Sequence, residues 1–392
     1  MALFRPKTVP CPHCYRAIDL SRVVFRCTGQ AQAGRTGCVP SPDANRQQFL
    51  GDGSPVRPII CSGGVELRGK TSVRCPDCGA QSSVRCCEHC HSVLPSSIQK
   101  DSPLIGLVGV RNSGKTVMLS ALHTELTQTV ARRFRAAIDN PTGSAGLASV
   151  LHKNVEEMSR PGGTLPEQTH RGQKSAPAVY EWRYELKNRM RSILFSFYDN
   201  AGEDFASEDS ATELAYLGQV SGLILLLDPF SFPENAHLVE EKGIELTHSD
   251  TPEQVLASLT EVLRKAHNTK TTKKISVPVA VVVSKIDAFF DALGEGHPLR
   301  KPSSKLAAFD EAESADLDEH MKGLVRDWGG DGLLRSLDAN FDTFRVFGAS
   351  ALGAEPDYSK GTTSERGRLP HRVAEPFLWL LAERGFLPKQ KD

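Results

Sequence analysis

The chain has 392 residues, enough for two or three domains with well-buried cores, and its 47 Lys and Arg balance its 47 Asp and Glu. That balance excludes a global field for drawing in nucleic acid or an anionic membrane. Residues 1–7 lack the apolar core of a signal peptide, and the most apolar run, residues 220–227, is far too short for a bilayer, so a cytoplasmic protein with no membrane span is expected.

All ten cysteines fall between Cys11 and Cys90. Without an export signal, and with C-x-x-C spacing, they point to metal rather than disulfides. Cys75-Pro76-Asp77-Cys78 and Cys87-Glu88-His89-Cys90 have the spacing of a compact zinc ribbon, in which two turns each aim two thiolates at one ion. One Zn²⁺ at Cys75, Cys78, Cys87 and Cys90 is expected, and a second at Cys11, Cys14, Cys27 and Cys38. In that second group Cys61, His13, His89 or His91 can substitute; otherwise Cys61 and Cys86 are expected to be non-ligands. No open coordination position is evident, so the metal is structural, and it supplies most of the folding energy of so small a module. Residues 40–58, rich in Pro, Gly, Asp and Ser, are expected to be a loop. The basic residues Arg68, Lys70, Arg74 and Arg85 are too scattered to support nucleic-acid binding, although they do not exclude it. Residues 1–95 read as the cysteine-rich module and 96–103 as a linker.

From residue 104 the pattern becomes alternating strands and helices. The apolar run 104–108 leads into Gly109-Val110-Arg111-Asn112-Ser113-Gly114-Lys115-Thr116, and a helical pattern follows from residue 117. Strand, G-x-x-x-x-G-K-T, then helix is a phosphate-binding loop. Its backbone N–H groups, here from Gly109, Asn112, Ser113 and Gly114, face an anion; Lys115 reaches the β- and γ-phosphates, and the Thr116 hydroxyl ligates Mg²⁺. Strands are expected over 179–187 and 192–198, the second ending at Asp199-Asn200-Ala201-Gly202-Glu203. Asp199 at a strand tip can hold Mg²⁺, and Gly202 can offer its N–H to a γ-phosphate.

A buried strand over 220–227 ends in Asp228, residues 252–267 are helical, and the apolar strand 277–283 runs into Ser284-Lys285-Ile286-Asp287. The Asp287 carboxylate can accept from guanine N1–H and its exocyclic amine, a donor pair adenine lacks, while the Lys285 stem lies along the ring. After a last strand over 343–348, the small residues around Ser350 and Ala351 let backbone N–H groups approach the base oxygen. Insertions are expected near 230–250 and 288–340, a mobile stretch over 353–369, and a closing amphipathic helix over 372–384.

These motifs, in this order, resemble the Ras-like P-loop GTPases of the TRAFAC class. With the cysteine-rich module and the Leu-Asp-Pro strand end, they resemble more narrowly the bacterial double-GTPase family. The resemblance implies an α/β fold, a mostly parallel sheet with helices on both faces over 104–392, preceded by a small zinc module. It implies a GTP- and GDP-binding switch in a multi-protein signalling or conflict system, with a second GTPase or effector, and an activating protein, as partners. It also implies a switch threonine on Mg²⁺; Thr164 and Thr169 are available, and Leu165-Pro166-Glu167-Gln168-Thr169 favours Thr169. Three departures mark this chain. Ser284 replaces the usual Asn or Thr, Glu203 stands where a water-orienting glutamine is common, and Arg111 occupies a loop position that is often glycine. Arg111 there can stabilise transition-state charge, obstruct a partner's arginine, or simply lie exposed; with Glu203 it implies slow or partner-dependent hydrolysis. The competing expectations are a P-loop ATPase using Asp228 as its metal-organising carboxylate, and a zinc-ribbon binding module carrying a hydrolysis-poor nucleotide fold.

Overall fold

The computed structural model describes residues 8–60, 69–99, 103–109, 113–139, 147–166, 177–186, 189–197, 216–244 and 251–390. Within them the nucleotide-type domain is built on β1 (Ile105–Gly109), β2 (Ala137–Asp139), β3 (Ala178–Leu186), β4 (Arg189–Phe197), β5 (Gly222–Leu227), β6 (Val279–Val283) and β7 (Phe344–Gly348). The sequences Gly-Leu-Ile-Leu-Leu-Leu of β5 and Val-Ala-Val-Val-Val of β6 are buried at every position, as parallel strands covered on both faces require. They form a parallel sheet in the order β7-β6-β5-β1. The antiparallel β2-β3-β4 meander continues it, with Ser196 bridging to Leu104 beside β1.

Successive residues of β5 feed opposite cores. Ile224 and Leu226 pack with α1 (Lys115–Thr124), α2 (Leu147–Met158) and the C-terminal helix, whereas Leu223, Leu225 and Leu227 pack with the helices that cover the other face. Those are α3 (Pro252–Ala266), α4 (Glu311–Asp327) and α5 (Asp331–Asn340). The start of α3 is written locally: Thr251 and Gln254 form a reciprocal capping box with Pro252 in the first turn. In α4, Asp318 reaches sideways to accept the Val346 N–H of β7 at 2.7 Å, fastening the helix to the sheet edge.

Three local expectations change. The closing helix, α6 (Glu375–Glu383), is not amphipathic: Pro376 through Ala382 are all buried. It lies against β5 and β6 while Phe377 meets Phe195 of β4 at 4.7 Å between ring centroids, so both its sides face protein. Residues 353–369 are held rather than loose. Thr362 bridges both Asp357 and Thr164, and Leu165 N–H donates to Gly361 O at 2.9 Å, so the polar residues serve turns instead of solvent. Residues 40–58 contain a short helix, Ala44–Leu50, capped by Asp43 and ended at left-handed Gly51.

The cysteine-rich segment is a set of short antiparallel pairs. Thr8–Pro10 pairs with Ala17–Asp19, Val73–Arg74 with Gln81–Ser82, and Val24–Arg26 lies between Ile59–Ile60 and Arg85–Cys86. Its apolar cluster, including Ile18, Phe25, Ile60 and Ile98, also takes in Val179 of β3 and Leu194 of β4, so the module is seated on the hairpin. Each C-x-x-C turn is followed by a residue in the left-handed region: Tyr15 at φ 59°, Gly79 at 75° and His91 at 56°. That conformation favours glycine and costs an ordinary side chain about 1–2 kcal/mol. Beside His91 the Asp43 carboxylate provides a partner, 2.8 Å from Nδ1.

Candidate nucleotide site and paired cysteine centres

The carboxyl ends of β1, β5, β6 and β7 share one edge of the sheet, the edge where open α/β sheets take ligands. β1 delivers Gly109 to that edge, and backbone contact explains why it is glycine. A Cβ there would stand 2.7 Å from Leu226 O and 2.8 Å from Ser113 Oγ. Gly114 is left-handed at φ 83° and opens α1, whose first residues are Lys115 and Thr116. The Lys115 ammonium donates to Gly109 O at 2.6 Å and so stays over the loop. Gly109→Ala is expected to lower folding stability by about 1–3 kcal/mol through overpacking and to weaken nucleotide binding with it. Urea unfolding that matches the parent would contradict the tight fit.

At the other end of the same edge, Ser284 donates to Leu227 O through both its N–H, at 2.9 Å, and its Oγ, at 3.0 Å. The hydroxyl thereby ties the loop to β5, a local anchoring role at the position where Asn or Thr is usual. Ile286 N–H reaches Ala349 O at 3.3 Å, and Ala349 N–H reaches Val283 O at 3.0 Å, so the loop after β6 and the loop after β7 form one unit. Burial pushes the Asp287 carboxyl up, and a hydrogen bond with Ser350 partly offsets this. Ser350 Oγ also accepts the Leu352 and Gly353 N–H groups, which fixes the turn that carries Ser350 and Ala351.

Asp228 is buried at the end of β5 with one carboxylate oxygen accepting from Phe230 N–H at 3.1 Å and the other from Lys285 Nζ at 2.6 Å. One oxygen thus caps its own Pro229–Ser231 turn and the other holds Lys285, a poor arrangement for organising a metal. Lys285 is itself left-handed at φ 51°, and its ammonium lies 5.6 Å from the centre of the Phe230 ring. Phe230 was missed in the sequence, although the apolar residue after Leu-Asp-Pro was a usable signal. Tyr358, whose ring meets Phe230 edge-on at 6.1 Å, comes from the stretch expected to be loose and carried no signal.

Of the predicted nucleotide residues, the structure places Gly109, Ser113, Gly114, Lys115 and Thr116 at the end of β1, and Lys285, Asp287, Ser350 and Ala351 at the ends of β6 and β7. Arg111, Asn112, Thr169, Asp199, Gly202 and Glu203 lie outside the described residues. Thr164 is exposed and pairs with Thr362 through the backbone.

The cysteines correct the expected grouping. The structure does not bring Cys75 and Cys78 to Cys87 and Cys90, nor Cys11 and Cys14 to Cys27 and Cys38. It gathers Cys11, Cys14, Cys87 and Cys90 in one cluster and Cys27, Cys38, Cys75 and Cys78 in another, a nested arrangement of the four pairs. The reason is strand direction. Val24 pairs antiparallel with Cys86 and Phe25 with Arg85, so the chain leaves this pair toward Cys27 at one end and toward Cys87 at the other. The Cys75–Cys78 turn sits at the Cys27 end, where Ser82 Oγ donates to Arg26 O. Cys86 is buried but belongs to neither cluster, and Cys61 lies outside the described residues.

The clusters fit a tetrahedral ion. Sulfur–sulfur distances are 3.9 Å for Cys11–Cys90, 3.8 Å for Cys14–Cys87, 3.8 Å for Cys38–Cys75 and 3.4 Å for Cys27–Cys78. A tetrahedron with Zn–S bonds of about 2.3 Å has edges of about 3.8 Å. The Ala80 N–H draws Cys78 down to about 6, and hydrogen bonds from Cys11, Cys14 and Cys87 hold Cys90 well below the ordinary thiol range. Burial pushes Cys11, Cys27 and Cys38 up, and against a lowering hydrogen bond with Cys11, those with Cys87 and Cys90 push Cys14 up, so without an ion each cluster holds one favoured thiolate beside thiols held neutral.

The Double-GTPase 2 family model matches residues 103–329. No curated protein matches the chain. Among solved structures it is similar to the Arl6 BBS3 small GTPase from Trypanosoma brucei with bound GppNp, at 14% identity, covering 72% of this chain and 98% of that one with a TM-score of 0.30. It is also similar to the signal recognition particle receptor SRb-GTP/SRX complex from Chaetomium thermophilum, at 13% identity, covering 66% of this chain and 94% of that one with a TM-score of 0.29. Among the described residues no helix is long and apolar enough to cross a membrane.

Proposed function

The chain belongs to the Double-GTPase 2 family, and we propose that it is a Mg²⁺-dependent GTP-binding and hydrolysing switch whose N-terminal module, residues 1–95, holds two structural zinc ions and docks a partner. The observation that carries the guanine assignment is the unit formed by Ser284–Asp287 and Ala349–Ser350, which presents a carboxylate at the end of β6 beside a loop of small residues. A carboxylate there selects guanine, because guanine offers it a matching donor pair and adenine does not.

In this reading Lys115 and the loop N–H groups, including those of Asn112, hold the phosphates. Thr116, with Thr169 and Asp199, holds Mg²⁺, which when bound supplies charge neutralisation at the phosphates. Gly202 reports the γ-phosphate, and Arg111 and Glu203 set a slow, partner-dependent hydrolysis. Partners are a second GTPase or an effector, with an activating protein, in a bacterial signalling or conflict system, and the protein acts in the cytoplasm. The ATPase alternative needs Asp228 on the metal, whereas its carboxylate is engaged by Lys285 and Phe230.

Titration of the purified chain with GTP and ATP is the direct test, with GTP expected to bind on the order of a hundredfold more tightly or better. Tighter ATP binding would sink the assignment. Phosphate release, with Lys115→Ala as the control, then separates a hydrolase from a fold that only binds.

A further inference from the structure

Cys14 and Tyr15 are neighbours in the chain, yet they belong to different cores. Cys14 lies in the module's cluster, while Tyr15 lies in the cluster behind the sheet, with Leu104, Val108, Tyr216 and Leu223. The Tyr15 ring meets that of Tyr216 at 4.5 Å between centroids, and both side chains are buried, 4% exposed each. Tyr216 in turn grips β1 from the side: its hydroxyl donates to Ile105 O and accepts from Leu107 N–H, both at 3.3 Å. Gly106 makes room for this, since a Cβ there would stand 3.3 Å from the Tyr216 hydroxyl and 2.6 Å from Leu223 Cδ1. β1 is the strand that ends in Gly109, whose carbonyl holds Lys115.

The backbone adds an independent observation. Tyr15 follows its C-x-x-C turn at φ 59°, the left-handed position that Gly79 fills in the other cluster. Glycine would suit the turn better; His91, at φ 56° after the partner turn of this cluster, has the Asp43 carboxylate as its partner, and the Tyr15 ring has that of Tyr216. Its turn is closed by Tyr15 N–H to Cys11 O at 2.9 Å, which makes the ring's direction depend on the geometry of Cys11 and Cys14.

We propose that the Cys11–Cys14–Cys87–Cys90 metal centre sets the residence time of bound nucleotide through Tyr15, a positioning residue that acts on β1 by way of Tyr216. The proposal rests on the zinc reading of that cluster. With metal bound, the turn is rigid, Tyr15 is aimed, and Tyr216 holds β1 in register beneath the phosphate loop. Without it the turn slackens, β1 loses a lateral support, and nucleotide leaves faster.

The test uses the full chain with zinc content measured by elemental analysis and release of a fluorescent GDP analogue by stopped flow. Tyr15→Gly suits the turn and deletes the contact, so two zinc ions are expected to stay while release accelerates on the order of tenfold. Tyr15→Phe keeps the ring and is expected to release at the parent rate. If Tyr15→Gly keeps its zinc and releases within twofold of the parent, the coupling is overturned and the metal reading stands. If the parent chain carries no zinc, the metal reading itself falls and the proposal with it. Should Tyr15→Gly fail to fold, Tyr216→Phe keeps the ring, removes the hydroxyl's hydrogen bonds to Ile105 and Leu107 of β1, and is judged by the same release criterion.

Discussion

Asp287→Asn is expected to turn the base preference of this chain from guanine to xanthine. In the proposed complex the carboxylate accepts from guanine N1–H and from the exocyclic amine, whereas an asparagine amide sets its own NH₂ against that amine. Donor facing donor beneath a bound base costs about 3 kcal/mol, so GTP affinity should fall by about a hundredfold or more. Xanthine carries a carbonyl in place of the amine and pairs with the new donor, so XTP should bind where GTP no longer does. Loss of fold is not a competing explanation. Burial raises the Asp287 carboxyl, so its ionised form opposes folding, and the neutral amide is not expected to lower the melting temperature of the nucleotide-free protein at neutral pH. The sign follows from linkage: a folded-state value above the unfolded one means that stability is lost as pH rises through that interval. An Asp287→Asn protein with GTP affinity within threefold of the parent would remove the basis of the guanine assignment.

The second large effect concerns metal stoichiometry. Cys11→Ser with Cys87→Ser damages one centre only, and one zinc ion per chain should remain. Cys75→Ser with Cys87→Ser damages both, and none should remain. Pairing by chain order makes the opposite forecast, so elemental analysis of these two double variants decides between the arrangements. The consequence for stability is large, because a structural zinc site contributes about 10–16 kcal/mol of apparent binding free energy that becomes folding free energy. Strands of two or three residues cannot hold the module without it, and a chelator should abolish protection of the Val24–Arg26 and Ile59–Ile60 amides in hydrogen exchange. Retained protection after full metal removal would count against a metal-dependent module.

Where a function depends on neighbours in the chain, it was legible. The phosphate loop needs a strand, a glycine turn and a helix start within about a dozen residues, and Ile105–Gly109, Gly114 and Lys115 occupy those places as expected. The buried strands β5 and β6 were legible for a similar reason, since apolar residues at every position suit a strand covered on both sides. The motif ending in Asp287 falls directly after β6, so its position at the ligand edge followed from the strand itself.

Partners distant in the chain were not legible. The short gap between Cys78 and Cys87 suggests a single site, but the antiparallel pairing of Val24–Arg26 with Arg85–Cys86 sends their turns to opposite ends. No spacing rule contains that direction. The engagement of Asp228 by Lys285 and the burial of α6 on both sides likewise arise from elements that meet only after folding. The amino-acid sequence by itself determined the strand, glycine turn and helix start at residues 109–116, the order of the strands along the chain, the motif that follows β6 and the C-x-x-C turns, because each is local. Tertiary structure alone decided which thiols cluster together, and it placed Tyr15 against Tyr216, linking one C-x-x-C turn to the strand that ends in Gly109. Those two outcomes depend on strand direction and sheet packing, which no stretch of neighbouring residues specifies.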